Sequence, residues 1–404
     1  MIRITDKKEC CGCAACVQRC PKSCISLVED NEGFLYPKVE ENLCIECGLC
    51  EKVCPFLNPE KEKEPLSVLG AKNLNKEERM KSSSGGVFLP LAREIINKGG
   101  VVFGAVFDEN WEVHHVATET IEGVYPMMGS KYLQSRIENT YQEAEKFLKE
   151  GREVMFVGSP CQIAGLHKYL RSKTYSNLLA VDFICHGVPS PGVWRKYLTE
   201  NFGYTSHQGK EGVTPSSQSK HQISSINFRE KEENGWKEYH FSVKGKKSNN
   251  KNISLVSTKV QDTPYMKGFL ADLFLRPACH TCKCKNGRSN SDLTIGDYWG
   301  ISIICPNFDD DKGVSLIIIN SSKGKEAFSQ LRMTTIEANV TQAKPFNGGL
   351  STSIPIHPKR KAFFELVEEG TPITQAVLIC TSVSIPQRII KKMKTILGNF
   401  ISKS

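Results

Sequence analysis

Beyond residue 66, short apolar runs of strand length alternate with segments whose apolar residues recur at helical spacing. β-Branched residues are common in the runs, which favours strands, whereas the 3.6-residue spacing favours amphipathic helices. The predicted strands cover residues 101–107, 154–157, 178–184 and 314–319. The predicted helices cover residues 86–97, 140–149, 162–170 and 191–201. The alternation predicts an α/β (α+β) core with a mixed sheet.

Two further patterns accompany this alternation. Residues 25–28 and 34–39 alternate around the turn sequence Asp-Asn-Glu-Gly, which predicts a short hairpin. Residues 223–228, 237–243 and 253–260 predict antiparallel strands of an added layer. The polar stretch 203–221 before them has no apolar periodicity, and we interpret it as a loop or insertion.

The first sixty residues contain one cysteine spacing twice, C-x2-C-x2-C-x3-C-P. Bacterial-type ferredoxins hold 4Fe–4S clusters with this run, and the fourth cysteine of each run ligates the other cluster. We therefore predict two 4Fe–4S clusters with exchanged fourth ligands. The first cluster is assigned Cys10, Cys13, Cys16 and Cys54, and the second is assigned Cys44, Cys47, Cys50 and Cys20.

Two alternatives compete with this interpretation. A zinc ribbon closes on four ligands and has no use for a third cysteine two residues after a C-x2-C pair. A disulfide framework requires an oxidising compartment and a small domain, whereas this chain has 404 residues and a charged start without an apolar core. The protein is therefore expected in the reducing cytoplasm. Cys11 and Cys24 fall outside the spacing and are interpreted as bystanders.

Composition and charge narrow the function classes. Hydrophobic residues make up 39% and charged residues 24% of the chain, and its apolar runs are too short to predict a membrane span. The net charge of +9 is uneven, because residues 1–64 carry 9 Lys and Arg against 12 Asp and Glu, while the last 24 residues carry 5 basic and no acidic groups. Since this basic surplus is terminal and accompanies no recognition motif, we expect no nucleic-acid partner.

Two downstream turns carry candidate chemistry. Ser82-Ser-Ser-Gly-Gly86 precedes a predicted helix, where backbone N–H groups and the helix dipole favour a phosphate. A plain N-cap with a loop is the alternative. The turn Gly158-Ser-Pro-Cys161 follows a predicted strand, at the edge where open α/β sheets place ligands. Its cysteine is a candidate nucleophile, redox thiol or metal ligand.

More cysteines are predicted to reach the same edge. Cys185 ends the next predicted strand, and Cys279 and Cys282 form a C-x2-C pair. Together with Cys161, these thiols suit a third 4Fe–4S cluster, and a structural zinc is the competing interpretation. Cys284 is able to replace one of these ligands. Two cysteines without partners at useful spacing are interpreted as buried thiols, Cys305 and Cys380.

Two segments combine glycines with aromatic residues, Gly296-Asp-Tyr-Trp-Gly300 and Gly129-Ser-Lys-Tyr132. This combination suits the wall of a planar cofactor site. A tight turn whose aromatic residues belong to the core is an equally weighted alternative.

Taken in order, these motifs resemble the family formed by the beta subunits of coenzyme F-420-reducing hydrogenase and formate dehydrogenase, over nearly residues 1–320. The resemblance is carried by the ferredoxin repeat, Ser84-Gly-Gly86, Gly129-Ser-Lys-Tyr132, Gly158-Ser-Pro-Cys-Gln162, Cys185-His-Gly187, Cys279-x2-Cys282 and Gly296-Asp-Tyr-Trp-Gly300. Family members share a flavin-binding α/β domain with an iron–sulfur cluster beside the flavin. The resemblance therefore implies bound FAD.

The resemblance also implies roles for individual residues. The FAD phosphates would lie at Ser84, Gly85 and Gly86, and the flavin would lie near Lys131 and Tyr132. Two further residues are assigned to cofactor binding, Gly158 and Ser159. The cluster proximal to the flavin would be held by Cys161, Cys185, Cys279 and Cys282. No catalytic residue is assigned beyond His186 as a candidate proton donor.

The predicted organisation has five parts. Residues 1–58 form a two-cluster ferredoxin domain, and residues 59–66 form a charged, proline-containing linker. Residues 67–150 form an N-terminal-type region of the beta subunit, and residues 151–335 form its C-terminal-type flavin and cluster region. Residues 336–404 form an extension with a basic amphipathic helix at 385–401, which docks on its own protein or lies on an anionic membrane surface.

These features predict an iron–sulfur flavoprotein oxidoreductase in the cytoplasm, or peripheral at the inner membrane face. Electrons would pass singly through 4Fe–4S clusters and in pairs through FAD, to or from a small-molecule substrate such as the deazaflavin coenzyme or another metabolite. The alternative is an electron-transfer subunit that relays electrons between ferredoxin, or another redox protein, and a partner enzyme. The family does not fix the substrate.

Overall fold

The computed structural model describes residues 1–204, 222–246 and 251–382. Residues 1–58, the N-terminal module, contain α1 (Ala15–Gln18), β1 (Ile25–Glu29), β2 (Leu35–Val39) and α2 (Leu49–Lys52). The antiparallel pairing of β1 with β2 confirms the predicted hairpin. Both helices follow a residue in the left-handed conformation, Ala14 with φ 58° and Gly48 with φ 68°. The backbone of the two cysteine repeats therefore makes the same turn before each short helix.

Eleven further strands follow within the described residues. They are β3 (Ser67–Asn73), β4 (Val101–Phe107), β5 (Val113–Thr118), β6 (Val154–Gly158), β7 (Leu178–Phe183), β8 (Gln222–Glu230), β9 (His240–Lys246), β10 (Asn252–Lys259), β11 (Leu293–Asp297), β12 (Ser315–Ile319) and β13 (Met333–Glu337). Eight of them form one mixed sheet in the order β13-β3-β12-β11-β7-β6-β4-β5. The central strands β11, β7, β6 and β4 are parallel, and the outer pairings are antiparallel. This mixed sheet confirms the predicted fold class.

The helices of the same part of the chain pack around this sheet and continue beyond it. They are α3 (Lys76–Lys81), α4 (Phe88–Asn97), α5 (Ile121–Val124), α6 (Thr140–Lys149), α7 (Pro160–Tyr169), α8 (Pro191–Phe202), α9 (Pro264–Leu270), α10 (Ile301–Ile304), α11 (Ser322–Ser329), α12 (Val340–Ala343), α13 (Arg360–Glu368) and α14 (Ile373–Thr381). Among the described residues, no helix has the length and apolar character needed to span a membrane.

Several predicted boundaries move in the structure. α7 starts at Pro160 rather than residue 162, because Ser159 and Gln162 form a capping box in which the Ser159 N–H donates to Gln162 Oε1 at 2.9 Å. The predicted antiparallel layer is present as β10-β9-β8, with β9 beginning three residues later than predicted. Residues 205–221 of the predicted loop and the whole predicted helix at 385–401 lie outside the described residues.

Strands of two predicted regions share the large sheet. β3, β4 and β5 come from the predicted region 67–150, and β6, β7, β11 and β12 come from 151–335. β13 spans the predicted boundary at residue 335. The parallel strands β6 and β7 place their carboxyl ends at one sheet edge, so the turns after them lie side by side.

The N-terminal module is fixed against the rest of the molecule. Arg360 donates to both carboxylate oxygens of Glu32, at 2.8 and 2.6 Å, and both side chains are largely buried. A Cβ atom at Gly33 would lie 2.5 Å from the Gly192 backbone, so the β1–β2 turn touches the start of α8. Arg195 on α8 also pairs with Glu29 of the module. These contacts hold the cysteine repeats at a defined position on the α/β core.

Candidate functional site

The first cysteine group, Cys10, Cys13, Cys16 and Cys54, is brought together by the fold. Burial raises the pKa of the Cys16 thiol well above its usual value, and the neighbouring Cys13, Cys10 and Cys54 raise it further. Burial, with Cys13 and Cys10 nearby, raises the pKa of Cys54 to about 11. Cys54, from the second repeat, therefore lies beside the three cysteines of the first repeat, as the ferredoxin spacing requires.

The second cysteine group, Cys20, Cys44, Cys47 and Cys50, lines one small hollow. Cys47 is exposed to solvent, whereas Cys50 is buried and its sulfur accepts the Ile2 N–H at 3.3 Å. Cys24, interpreted above as a bystander, lines the same hollow with its sulfur 3.4 Å from that of Cys20. This second group is the more solvent-accessible of the two.

A third group, which we call the downstream group, consists of Cys161, Cys185, Cys279 and Cys282. Cys161 lies in the first turn of α7 and Cys185 follows β7, so two adjacent parallel strands deliver them to one edge, as predicted. Burial raises the pKa of Cys279 to about 12, and the neighbouring thiols of Cys161 and Cys282 add to the shift. All four thiols thus meet at the edge of the sheet.

Cys284 adjoins this downstream group. Hydrogen bonding from the nearby Cys284 thiol lowers the pKa of Cys282 to about 6. Within residues 1–204, 222–246 and 251–382, no three His, Cys, Asp or Glu side chains converge closely enough to hold a single metal ion.

A cavity of about 470 Å³ opens beside the downstream group, and Cys185 is part of its wall. Six of the predicted cofactor-binding residues line it, Ser84, Gly86, Lys131, Tyr132, Gly158 and Ser159. The seventh, Gly85, lies behind the wall, where its N–H donates to Ser315 Oγ at 2.9 Å. A Cβ atom there would overlap the Ala71 carbonyl, so the loop passes directly against β3 and β12.

The loop of Ser82 to Gly86 does not cap a helix in the way that the alternative interpretation required. α4 begins at Phe88 with Val87 as its N-cap, and no side chain caps it. Instead, Ser84 Oγ donates to the Val314 carbonyl at 2.9 Å, and Lys231 Nζ donates to the Ser84 carbonyl at 2.7 Å. The loop is therefore braced from behind and presents its other face to the cavity.

Lys131 and Tyr132 form the facing wall. The Lys131 ammonium donates to the carbonyls of Met127, Met128 and Gly129 at 3.3, 3.1 and 3.4 Å. Although part of its side chain reaches the cavity, burial lowers the pKa of Lys131 to about 7. Tyr132 stacks on Phe269 with ring centroids 4.9 Å apart. The wall thus offers a flat aromatic surface beside an ammonium group that titrates close to neutrality.

Sequence reasoning missed a buried arginine in the same cavity. Arg229 on β8 forms an ion pair with Asp297 at the end of β11, at 2.5 Å, and lies over the rings of Tyr239 and Trp299, at 4.1 and 5.2 Å. Asp297 and Trp299 fall in the predicted aromatic segment, but no local pattern marks Arg229. The contact joins the three-stranded layer to the sheet, so only the tertiary fold creates it.

Two histidines border the cavity. His115 on β5 is buried, which lowers its pKa to about 4, and its Nε2 lies 2.9 Å from the Val157 carbonyl oxygen. His186 follows Cys185, and its Nε2 lies 2.6 Å from Asp272 Oδ1. Its ring also meets the edge of Phe269 at 5.3 Å. His186, the candidate proton donor, therefore has a carboxylate that orients its ring.

The fold and the cysteine groups together define an iron–sulfur protein, built from a ferredoxin-like module and a mixed α/β core. Residues 9–58 match the 4Fe–4S dicluster domain. Residues 151–344 match the family described as the C terminus of the coenzyme F420 hydrogenase/dehydrogenase beta subunit.

Three curated proteins and one solved structure illustrate the likeness. The F component of the F(420)H(2) dehydrogenase of Methanosarcina mazei is 27% identical over 185 residues, which is 44% of this chain and 53% of that protein. The coenzyme F420-dependent sulfite reductase of Methanocaldococcus jannaschii is 27% identical over 169 residues, 41% of this chain and 26% of that protein. An uncharacterized ferredoxin of the latter organism is 41% identical over 46 residues, 11% of this chain and 25% of that protein.

The solved structure is a chain of the F420-reducing [NiFe] hydrogenase complex of Methanosarcina barkeri. It aligns with a TM-score of 0.44 and 16% sequence identity, and the alignment covers 78% of this chain and 92% of that chain. The chain spans about half the length of the first curated relative and about a quarter of the other two.

Proposed function

We propose that this chain is an iron–sulfur flavoprotein oxidoreductase that exchanges electrons between its N-terminal module and a small substrate. One observation carries the proposal: a group of four thiols borders a cavity large enough for a cofactor, and two more groups lie beyond it in the module. Oxidoreductases of the matched family provide the chemical context.

The cavity fits a flavin nucleotide by its shape and by its donors. Its volume of about 470 Å³ lies in the range of small-molecule sites. Ser84 and Gly86 line one wall, and Ser83 Oγ ties this loop to Ser130, whose N–H donates to it at 2.7 Å. Tyr132 and Phe269 provide an aromatic face, and the Lys131 ammonium provides a positive charge. These residues would hold FAD by its phosphates and its ring.

The three cysteine groups fit 4Fe–4S clusters in ligand type and number. The first and second groups would hold the two clusters of the module, and the downstream group would hold the cluster next to the flavin. When bound, such clusters would carry single electrons, and a flavin would combine two of them with a proton from solvent into a hydride equivalent. The protein's part is to hold these sites at fixed separations, which the ion pair of Arg360 with Glu32 and the contact of Gly33 with Gly192 accomplish.

Anaerobic reconstitution followed by iron, sulfide, zinc and flavin analysis tests the proposal. We expect about four irons and four sulfides for each cysteine group, and one flavin, per chain. If the analysis finds zinc instead of one set of four irons, the downstream group holds a structural zinc and not a cluster. A chain that binds no flavin under saturating FAD would sink the proposed oxidoreductase.

The substrate proposal rests on the relatives' names. One is named as a subunit of F(420)H(2) dehydrogenase and another as a coenzyme F420-dependent sulfite reductase, so we propose the deazaflavin coenzyme, or another small hydride carrier or metabolite, as the substrate. If reduced F420 is the substrate, mixing it with the reconstituted chain should bleach the flavin absorbance. Retention of the flavin absorbance would direct the search to other metabolites.

A second candidate function is that of an electron relay without an organic substrate. The observation that favours it is the surface next to the second cysteine group, where Leu43, Ile45 and Cys47 are exposed beside the acidic Glu46. Exposed apolar residues with a charged rim are typical of a docking surface for a redox protein such as ferredoxin. Electron exchange with ferredoxin, combined with no reaction towards F420 or any metabolite tested, would favour this function.

A further inference from the structure

Helix α7 touches the first cysteine group at a glycine. A Cβ atom added to Gly165 would lie 2.9 Å from Cys13 Cβ, 3.0 Å from Cys13 Sγ and 2.9 Å from Tyr141 Oη. Only a residue without a side chain allows so close an approach. Cys161 lies four residues earlier on the same helix, and side chains four apart share one face. The same face of α7 therefore carries a downstream cysteine and meets a cysteine of the module.

Cys11 packs where the first cysteine group meets the downstream group. Its thiol is 6% exposed and packs in one apolar cluster with Cys13, Cys161 and Cys282. The Cys11 carbonyl accepts a hydrogen bond from the Gln134 side-chain amide at 2.9 Å, which fixes the backbone at this point.

The second cysteine group takes no part in this contact. Cys20, Cys24, Cys44 and Cys50 pack in a different apolar cluster, around Ile2 and Ile25. Two cysteines assigned to the first group also pack there, Cys16 in this cluster and Cys54 in both clusters, so the first group lies between the other two. The three groups therefore follow one another in space in the order second, first, downstream.

We propose that electrons cross between the N-terminal module and the α/β core at one junction, formed by Cys11, Gly165 and the adjoining Cys13 and Cys161. This inference rests on the proposed function and extends it by fixing the order of the sites. Each crossing is a one-electron step in which the first site is oxidised and the downstream site is reduced, without transfer of a proton or a leaving group. Two crossings, together with one proton taken up from solvent at the flavin site, match one hydride. The low-potential electrons come from a one-electron donor protein of the ferredoxin type.

Cys11 is a positioning residue in this proposal, because it is not a proposed ligand but packs in the same apolar cluster as Cys13 and Cys161. The chain offers two ways to disturb the junction. Cys11→Ala removes this packed thiol and leaves all proposed ligands in place. Gly165→Ala forces α7 away from Cys13, because the new methyl group would meet both Cβ and Sγ of that residue. Cys380→Ala is the matched control, since it also removes a buried thiol but lies on α14 and in a different apolar cluster from Cys11.

The experiment uses the full, reconstituted chain. Iron and flavin contents are measured first, and each variant is then mixed in a stopped-flow instrument with dithionite-reduced ferredoxin. We expect Cys11→Ala and Gly165→Ala to slow the bleaching of the flavin several-fold while the iron–sulfur absorbance of the module bleaches at the wild-type rate. EPR spectra of the reduced chain should show weaker coupling between clusters in the same two variants and none of these changes in Cys380→Ala.

Two results would overturn the proposal in different ways. Wild-type kinetics in Cys11→Ala, with full iron and flavin content, would reject the junction and leave the proposed function intact. If Gly165→Ala loses its iron, the flavin-bleaching kinetics of Cys11→Ala alone decide whether the junction is accepted or rejected. A wild-type chain that lacks the downstream irons or the flavin would reject the proposed function, and the junction with it.

Discussion

At the scale of single residues, Arg276 links the module to the cavity side of the molecule. It is 1% exposed, and it donates to the carbonyls of Cys10 and Leu35 at 2.7 and 2.9 Å and to Gln134 Oε1 at 2.9 Å. One of its N–H groups also reaches Cys10 Sγ at 3.6 Å. A buried cation that donates to a cluster ligand stabilises the more negative, reduced cluster.

Replacing Arg276 by Met should therefore lower the midpoint potential of one module cluster. The change should also lower the free energy of unfolding by roughly 3 kcal/mol, because it leaves buried carbonyl groups without donors. EPR-monitored redox titration measures the potential, and chemical denaturation measures the stability. Arg288→Met is the control, because Arg288 forms a partly exposed pair with Glu62. An unchanged potential in Arg276→Met would contradict the proposed role.

Lys131 gives a pH-dependent prediction at the same scale. Burial lowers its pKa from about 10.5 to about 7, and an anionic cofactor beside it would raise this pKa again. Binding then takes up a proton above pH 7, so the affinity for FAD should be highest below pH 7 and should fall as the pH rises through and above about 7.

Fluorescence titration of FAD binding across this pH range measures the effect. Lys131→Met should bind FAD more weakly, and its affinity should not vary with pH in this way. Lys72→Met is the matched control, because Lys72 also donates to a backbone carbonyl, that of Phe308 at 2.9 Å, but does not line the cavity. The same pH dependence in Lys131→Met would assign the proton to another group.

At the scale of elements, the loop between α3 and α4 depends on its close approach to β3. Gly85→Ala would push the loop away from the Ala71 carbonyl, because that backbone atom cannot move aside as a flexible side chain can. We expect a loss of about 1–3 kcal/mol in the free energy of unfolding and a clear loss of bound flavin. Gly151→Ala is the control, since it introduces backbone strain at φ 78° without any clash and should leave flavin binding unchanged. Thermal denaturation and flavin retention on gel filtration provide the two measurements.

The sequence predicts the strands that are formed by an unbroken run of buried apolar residues. It misses strands in which apolar residues are mixed with polar residues. β4 and β6 are apolar runs buried in the sheet centre, and their bounds are predicted to within one residue. β3 contains Gly70 and Lys72 and is not predicted, and β13 has an exposed, polar pattern typical of a sheet edge. The cysteine groups follow from spacing, whereas the pair of Arg229 with Asp297 joins two distant strands and has no local signal.

At the scale of the whole molecule, the ion pairs of the module contribute unequally to its stability and to its attachment. Arg360 and Glu32 are largely buried and bidentate, so Arg360→Ala leaves a buried carboxylate without its partner. Losing such a pair costs about 3–5 kcal/mol. We expect faster hydrogen exchange throughout residues 1–58 and faster proteolysis at the predicted linker, residues 59–66.

Arg3→Ala is the corresponding control. Arg3 pairs with Glu41 at 2.9 Å, but both side chains are about two-thirds exposed. Such a pair contributes less than about 1 kcal/mol, so exchange in the module should stay near the wild-type rate. Equal protection in Arg360→Ala and wild type would show that apolar contacts alone hold the module.

The proposed exchange of fourth ligands between the two cysteine repeats has a consequence for how the protein is assembled. In that proposal Cys54 completes the first group and Cys20 completes the second, so neither repeat contains a full ligand set of its own. A cluster inserted into one group therefore draws both repeats into their final geometry and prepares the other group. Under a limited supply of iron and sulfide, the population should divide into fully loaded and empty modules, with few half-loaded chains between them.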